Sequence, residues 1–439
     1  VPSAAAVAAC AGPRVGDAPP PGAAGGAAAQ AATLRVHVPK RTAVSDWIEL
    51  GLREDVDGWQ QQHPRLRVTL ETHGAWTDTY FPQVIALAAS GQLGDVVWYP
   101  PRHRSHVAWG TKLKLVRDLQ PLVKAHRFDL GQFYKGAVEH NTWEGKLYWL
   151  SYISEPVVPL VAVNKARAEQ LGLGVPPDDW TFDDLAAWAK RGTVADAFGY
   201  FRGEAGTDPF GSGPYLRQWG VEPVDAAGRR AAFLDRREAF VQALTFRHSL
   251  TNVWRVSPNP ADGPIAQDKL FGVERRLLAA DIWPNRVQWY ARDYPDLELA
   301  FALTPTVKKG DKRRSLLNEH VLGVTTASPA PDAAFAFLAW ATGREMNVQG
   351  ALRGGKAANA RPDAWGDPRL LERWPAYRKL LPVLAGVEPD FVVANFRGEE
   401  FDAAFAGPYA RLERGEAPVL DTAAEIQRLT QEVLQRDPA

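Results

Sequence analysis

Trp143-Glu-Gly-Lys-Leu-Tyr-Trp-Leu-Ser-Tyr-Ile-Ser-Glu-Pro156 runs into the apolar stretch 157–163 and stops at Asn164-Lys165. Glu144-Gly145-Lys146 reads as a turn. Residues 147–153 and 157–163 are rich in β-branched and aromatic types, so two strands are predicted, broken at Glu155-Pro156. Strand and helix patterns alternate on both sides. Two strands that join two such halves make a hinge, and its polar and aromatic residues would face the cleft between the halves.

Upstream, Leu34 to Val38 alternates as a strand, and Ile48, Leu52, Val56 and Trp59 recur at helical spacing up to His63-Pro64. Leu66, Val68 and Leu70 form a second strand, Val84 to Ala88 a helix stopped by Gly91, and Val96 to Tyr99 a short buried strand. That order predicts an α/β domain with a mostly parallel sheet. Downstream, Thr181 and Asp184 read as a capping box. Helices are predicted around 235–250 and 265–271, strands at 277–282, 297–303 and 320–325, and a helix after Ser328-Pro. From 366 on the pattern is helical. Residues 308–314, with five basic side chains, read as a solvated loop.

Composition excludes some classes. Lys+Arg and Asp+Glu both total 51, so no net positive charge favours nucleic acid, and none is expected as a partner. The single cysteine, Cys10, rules out an intrachain disulfide and a cysteine zinc site. Val7-Ala8-Ala9-Cys10 resembles the lipobox of bacterial lipoproteins. Residues 11–32, rich in Ala, Gly and Pro, read as a flexible tether. The stretch before Cys10 lacks the charged part of a signal peptide, so residues 1–32 are expected to be a signal-peptide remnant, lipobox and tether.

Enzyme motifs are not found. Residues 350–357 nearly match a P-loop, but Ala357 lacks the magnesium-binding hydroxyl and a helix, not a strand, precedes it. HExxH and GxSxG do not occur, and the histidines show no metal-ligand spacing. No carboxylate pair stands out for glycoside hydrolysis. No catalysis, cofactor or metal is expected.

Several segments in order carry a resemblance. Tyr80 to Val97, Leu115-Val-Arg-Asp-Leu-Gln-Pro-Leu122, Gly145-Lys-Leu-Tyr148, Val163-Asn-Lys165, Asp179-Trp-Thr-Phe-Asp-Asp-Leu185 and Ala333 to Leu338 resemble the solute-binding proteins of ABC importers, in particular the sugar-binding, maltose-binding-protein-like group. Gly94 departs from the family's usual Pro, and Asn318-Glu319-His320 from its usual Gly-Gly. The resemblance implies an α/β, two-lobed periplasmic-binding-protein fold with hinge strands and C-terminal helices. Lobe 1 is expected at 34–153 plus 311–365, and lobe 2 at 157–305 plus 366–439.

It further implies a protein outside the cytoplasmic membrane, lipid-anchored through Cys10 and monomeric, that captures a sugar or oligosaccharide and delivers it to a permease. The alternatives are a non-sugar solute (polyol, glycerol phosphate or peptide), a secreted glycan-active enzyme, or a partner of a sensor kinase. Sugar hydroxyls need planar polar partners and sugar faces need aromatic planes. Glu155 and Tyr152 are candidates on the hinge. The family pattern adds Trp283 and Tyr99 after strands, Asn318 and Glu319 before a late strand, Trp76 and Asp78 in an early loop, and the late aromatic Phe396.

Overall fold

The computed structural model describes residues 32–40, 46–100, 104, 106–195, 197–202, 209–263, 265–354 and 358–438. Cys10 and its tether lie outside the described residues. The chain opens with strand β1 (Ala32–Lys40), helix α1 (Asp46–Gln62), strand β2 (Leu66–Ala75), helix α2 (Trp76–Ala89) and strand β3 (Val96–Tyr99). β1 pairs in parallel with β2 and β3, as helical crossovers require.

The hinge strands are β4 (Leu150–Pro156) and β5 (Leu160–Asn164). The predicted strand 147–153 is divided. Glu144 and Gly145, at φ 49° and 76°, close a small hairpin between Thr142–Trp143 and Lys146–Leu147. The break also falls later than expected. Pro156 is the last paired residue of β4, opposite Leu317, and the chain turns at 157–159 instead. There Val158 holds φ at 43°, an unusual place for a β-branched side chain and a local strain at the hinge.

The second half contains helices α3 (Phe182–Gly192), α4 (Pro209–Gln218) and α5 (Arg237–His248), strand β6 (Ala279–Ile282), helix α6 (Pro284–Asp293) and strand β7 (Leu299–Leu303). The helix expected around 265–271 is only a π turn, Lys269–Val273. The chain then returns through strand β8 (Leu317–Val324), helices α7 (Pro331–Ala341) and α8 (Arg344–Leu352), and, after shorter turns, α9 (Gly398–Arg414) and α10 (Val419–Leu434). The Thr181 capping box is present: its hydroxyl accepts from Asp184 N, and the Asp184 carboxylate accepts from Thr181 N.

Besides the small hairpin, the described residues form two larger sheets, ordered β2-β1-β3-β8-β4 and β6-β5-β7, with β8 and β5 antiparallel to their neighbours. β5 is apolar from Leu160 to Val163 because both its faces are covered. Leu160 and Ala162 pack with Ile282, Leu303, Tyr377 and Leu380, in a cluster that also holds the first sheet. Val161 and Val163 belong to a second core cluster, which also holds Leu185, Phe240, Phe405 and Ile426. Period-two alternation along one strand thus feeds two cores.

Three chain crossings join the sheets and lie side by side. Val157 N donates to Leu316 O at 2.9 Å, Thr304 N to Pro159 O at 2.9 Å, and Glu388 N to Ser315 O at 3.0 Å. Residues 157–159, 304–316 and the segment around Glu388 therefore form one hydrogen-bonded hinge. The basic run 308–314 is not a simple solvated loop. Lys308, Lys309 and Lys312 are exposed, but Arg313 and Arg314 are half-buried and turn inward.

Candidate functional site

Trp283 follows β6 directly and is the N-cap of α6, with Pro284 pre-setting the first helical φ. It is half-buried and packs on the hinge residues Val157, Val158 and Leu316. Glu155, at the end of β4, is 4% exposed, and its Oε2 accepts from the backbone N of Asn285 at 3.1 Å. A carboxylate from the first sheet thus caps the N-terminus of a helix of the second half, where free N–H groups and the helix dipole favour negative charge. Asn318 is half-buried and pairs with Glu155 in the β8–β4 register. Trp283, Glu155 and Asn318 are therefore brought together at the hinge.

The other expected residues are placed differently. Glu319 is fully buried and points into the first half. Its Oε2 accepts from Asn141 Nδ2 at 2.6 Å, and its Oε1 from the hydroxyls of Ser151 at 2.7 Å and Ser154 at 3.1 Å. Burial pushes its carboxyl up to about 7 against the pull of those hydrogen bonds. The neighbouring His106, held by burial at about 3, is neutral and shares a 3.1 Å contact with Asn141 Oδ1. Tyr152 is fully buried, its hydroxyl donating to Asp55 Oδ2 at 2.7 Å. The Tyr99 ring is buried, stacked on Phe81 at 4.6 Å and edge-on to Trp109 at 4.8 Å. Phe396 turns the chain before α9 with φ 60°. Trp76 and Asp78 lie in the first turn of α2, and their side chains are outside the described residues.

Beside the hinge runs a narrow crevice between Val157, Val158, Tyr215, Arg202, Arg313 and Arg314. Arg202 is 6% exposed, donates from Nη1 to Asp281 Oδ2 at 3.0 Å and lies 4.4 Å over the Tyr215 ring. Asp281, fully buried on β6, also accepts from the Tyr200 hydroxyl at 2.6 Å, and burial raises its carboxyl pKa. Arg313 donates to the carbonyls of Thr304, at 2.8 Å, and Asp178. Arg314 pairs with Glu222 and Glu388, each at 2.7 Å. Sequence reasoning missed this group. Arg202 and Asp281 are 79 residues apart, and only the adjacency of β6 to residues 200–202 joins them. The one available signal was an acid, Asp281, inside an otherwise apolar strand.

The parallel register of β1 and β2 also gathers His37, Glu71 and His73. His37 Nδ1 lies 2.7 Å from His73 Nε2. The residue types suit a divalent cation, but their hydrogen bonds do not. His37 Nε2 accepts from Gly94 N at 2.6 Å, which leaves the ring proton on Nδ1, and Glu71 is held by Arg35 Nε at 2.5 Å and Nη2 at 2.8 Å. The cluster is a hydrogen-bonded chain from backbone to histidine to histidine.

Comparison with known structures identifies the architecture. Maltose-bound MalE3 of T. maritima is 21% identical, with a TM-score of 0.74 over 92% of this chain and 100% of that one. An ABC substrate-binding protein of Listeria monocytogenes in complex with cycloalternan is 16% identical, with TM-score 0.74 over 92% and 99%. The cyclic alpha-maltosyl-1,6-maltose binding protein of Arthrobacter globiformis is 18% identical, with TM-score 0.74 over 92% and 99%. The fold is the two-lobed periplasmic-binding-protein fold. The profile of the family described as bacterial extracellular solute-binding protein matches residues 46–348. The chain belongs to that family, whose members bind solutes rather than transform them, and membership implies an extracytoplasmic location. No curated protein matches the chain in sequence. Among the described residues no helix is long and apolar enough to cross a membrane.

Proposed function

We propose that the protein is the substrate-binding component of an ABC importer, capturing a sugar or oligosaccharide between its lobes and delivering it to membrane permease subunits. In this reading the lobes are 34–153 plus 311–365, and 157–305 plus 366–439, with residues 366–387 packed along their junction. A monomer anchored by a lipid on Cys10 and spaced from the membrane by residues 11–32 completes it. The observation that carries the proposal is Trp283: a half-buried indole held by a helix N-terminus against all-apolar hinge residues. It offers a flat face where both lobes meet. The sugars named with the similar structures support the same class. Ligand touching both lobes would favour the closed state, with no covalent chemistry.

The test is a thermal-shift screen of the full chain against mono-, di- and oligosaccharides, polyols, glycerol phosphate and peptides. A ligand at 100 times its Kd stabilises the folded state by about 2.7 kcal/mol. A shift with a sugar class, weakened tenfold or more in affinity by Trp283→Ala, is expected. Shifts only with peptides or phosphorylated glycerol would overturn the sugar assignment, while an unchanged affinity in Trp283→Ala would remove that residue from the site.

A further inference from the structure

We propose that the hinge crevice receives the anionic group of an acidic sugar, a carboxylate or phosphate carried on the ring. The inference rests on the sugar-binding reading above and narrows its substrate class. Three guanidinium groups, Arg202, Arg313 and Arg314, line the crevice, and among the described residues no carboxylate lines it. Their existing partners leave them unequal. Arg314 is neutralised by Glu222 and Glu388. Arg313 makes its hydrogen bonds among the described residues to two backbone carbonyls, which orient the cation, and the Asp178 and Asp179 carboxylates act on it through space without bonding it. Among the described residues Arg202 makes one side-chain hydrogen bond, from Nη1 to Asp281, so none of them takes up Nε or Nη2 on a side chain that is more than nine-tenths buried.

The geometry suits recognition by a fork. Arg202 is fixed from behind by Asp281 and from the side by the Tyr215 ring, so little side-chain freedom remains to be lost when an anion binds. A guanidinium in that setting presents two parallel donors to the two oxygens of a carboxylate or phosphate. The crevice holds little more than about one or two waters, so it fits an acid group and not a sugar ring. Val157 and Val158 line the crevice and also support Trp283. A ring resting on Trp283 could therefore place one acidic substituent among the arginines.

The experiment is isothermal titration of the full chain with galacturonate and glucuronate oligomers, glucose 6-phosphate, their neutral parent sugars, and free acetate and inorganic phosphate. The acidic sugar should bind at least tenfold tighter than its neutral parent, and that ratio should shrink as salt rises from 0.05 to about 0.5 M. Comparing uronates with the sugar phosphate tells which acid is preferred. Arg313→Gln should reduce the ratio without abolishing neutral-sugar binding, and Arg202→Lys, which keeps the charge facing Asp281 but loses the fork, should do the same. If either variant fails to fold, the salt dependence of the unaltered protein still decides. Equal affinity for neutral and acidic forms would overturn the inference and leave the sugar-binding reading standing. Free phosphate or acetate bound as tightly as the acidic sugar would overturn it in favour of a simple anion site. Binding of no carbohydrate of either kind would sink both.

Discussion

Glu319→Gln should abolish a specific component of the protein's pH-dependent stability. The carboxyl is fully buried among Asn141, Ser151 and Ser154, and no cation among the described residues pairs with it. Its pKa is about 7 in the folded chain against 4.5 as the reference value. The folded value is raised, so the stabilisation is fully present below the reference pKa and is lost as pH rises through the folded one. Between these values the folded state holds a proton that the unfolded state has released, and stability falls by roughly 1.4 kcal/mol per pH unit. Over the interval the loss is about 3 kcal/mol, complete above pH 7. Glutamine copies the neutral acid: its oxygen can accept from Asn141 while its amide donates to the two hydroxyls. For a chain of this length about 3 kcal/mol corresponds to a shift of about 3–4 °C in Tm. Calorimetry from pH 5 to pH 8 should find the variant and the parent nearly equal at the acid end, with the variant melting higher at pH 8. His37 and His73, both pushed down by burial, titrate in the two proteins alike, so the difference between the curves isolates position 319. Parallel Tm curves, or a variant that is less stable at pH 8, would refute the reasoning.

Three further substitutions probe what holds the site in place. Glu155→Ala removes the acceptor of Asn285 N at the start of α6 and should cost about 1–2 kcal/mol in urea unfolding, along with weaker ligand binding because Trp283 sits on that helix; an unchanged midpoint would show that the cap contributes nothing. Gly94→Ala puts a Cβ 2.6 Å from Arg35 Cβ and 2.7 Å from His37 Nε2, so a loss of about 1–3 kcal/mol is expected, and a melting temperature equal to the parent's would mean that strand edge yields freely. Thr181→Ala deletes the capping box of α3 and should lower stability by about 1 kcal/mol, read as a shifted denaturant midpoint at constant slope.

Most of the elements were legible locally. The alternation in Leu34 to Val38 and the helical spacing of Leu52, Val56 and Trp59 report burial of one face, which is a property of short segments. The capping box at Thr181 needs only four residues to be recognised. The hinge was legible as two strands, but its break was read one step early because Pro156 looked like an interruption. At the final paired position of β4 the missing N–H is not needed, and the turn is made by Val158 at a φ that no sequence pattern announces.

The candidate site divides along the same line. Trp283 was singled out through the family pattern of a Trp after a strand, and Glu155 by its place on the hinge beside Pro156. Tyr152 and Glu319 carried equally suitable chemistry, yet the pleat of β4 and β8 turns them into the first half, onto Asp55 and Asn141. The inward turn of Arg313 and Arg314 out of a basic run was invisible because their partners Asp178, Glu222 and Glu388 are distant in sequence. By itself, then, the sequence determined most of the order of elements, the apolar character of β5 and the family. Periodicity and short motifs encode these within a dozen residues. Only the tertiary structure decided which polar side chains share a crevice. That depends on strand register and on three crossings lying side by side, which join residues tens to hundreds of positions apart.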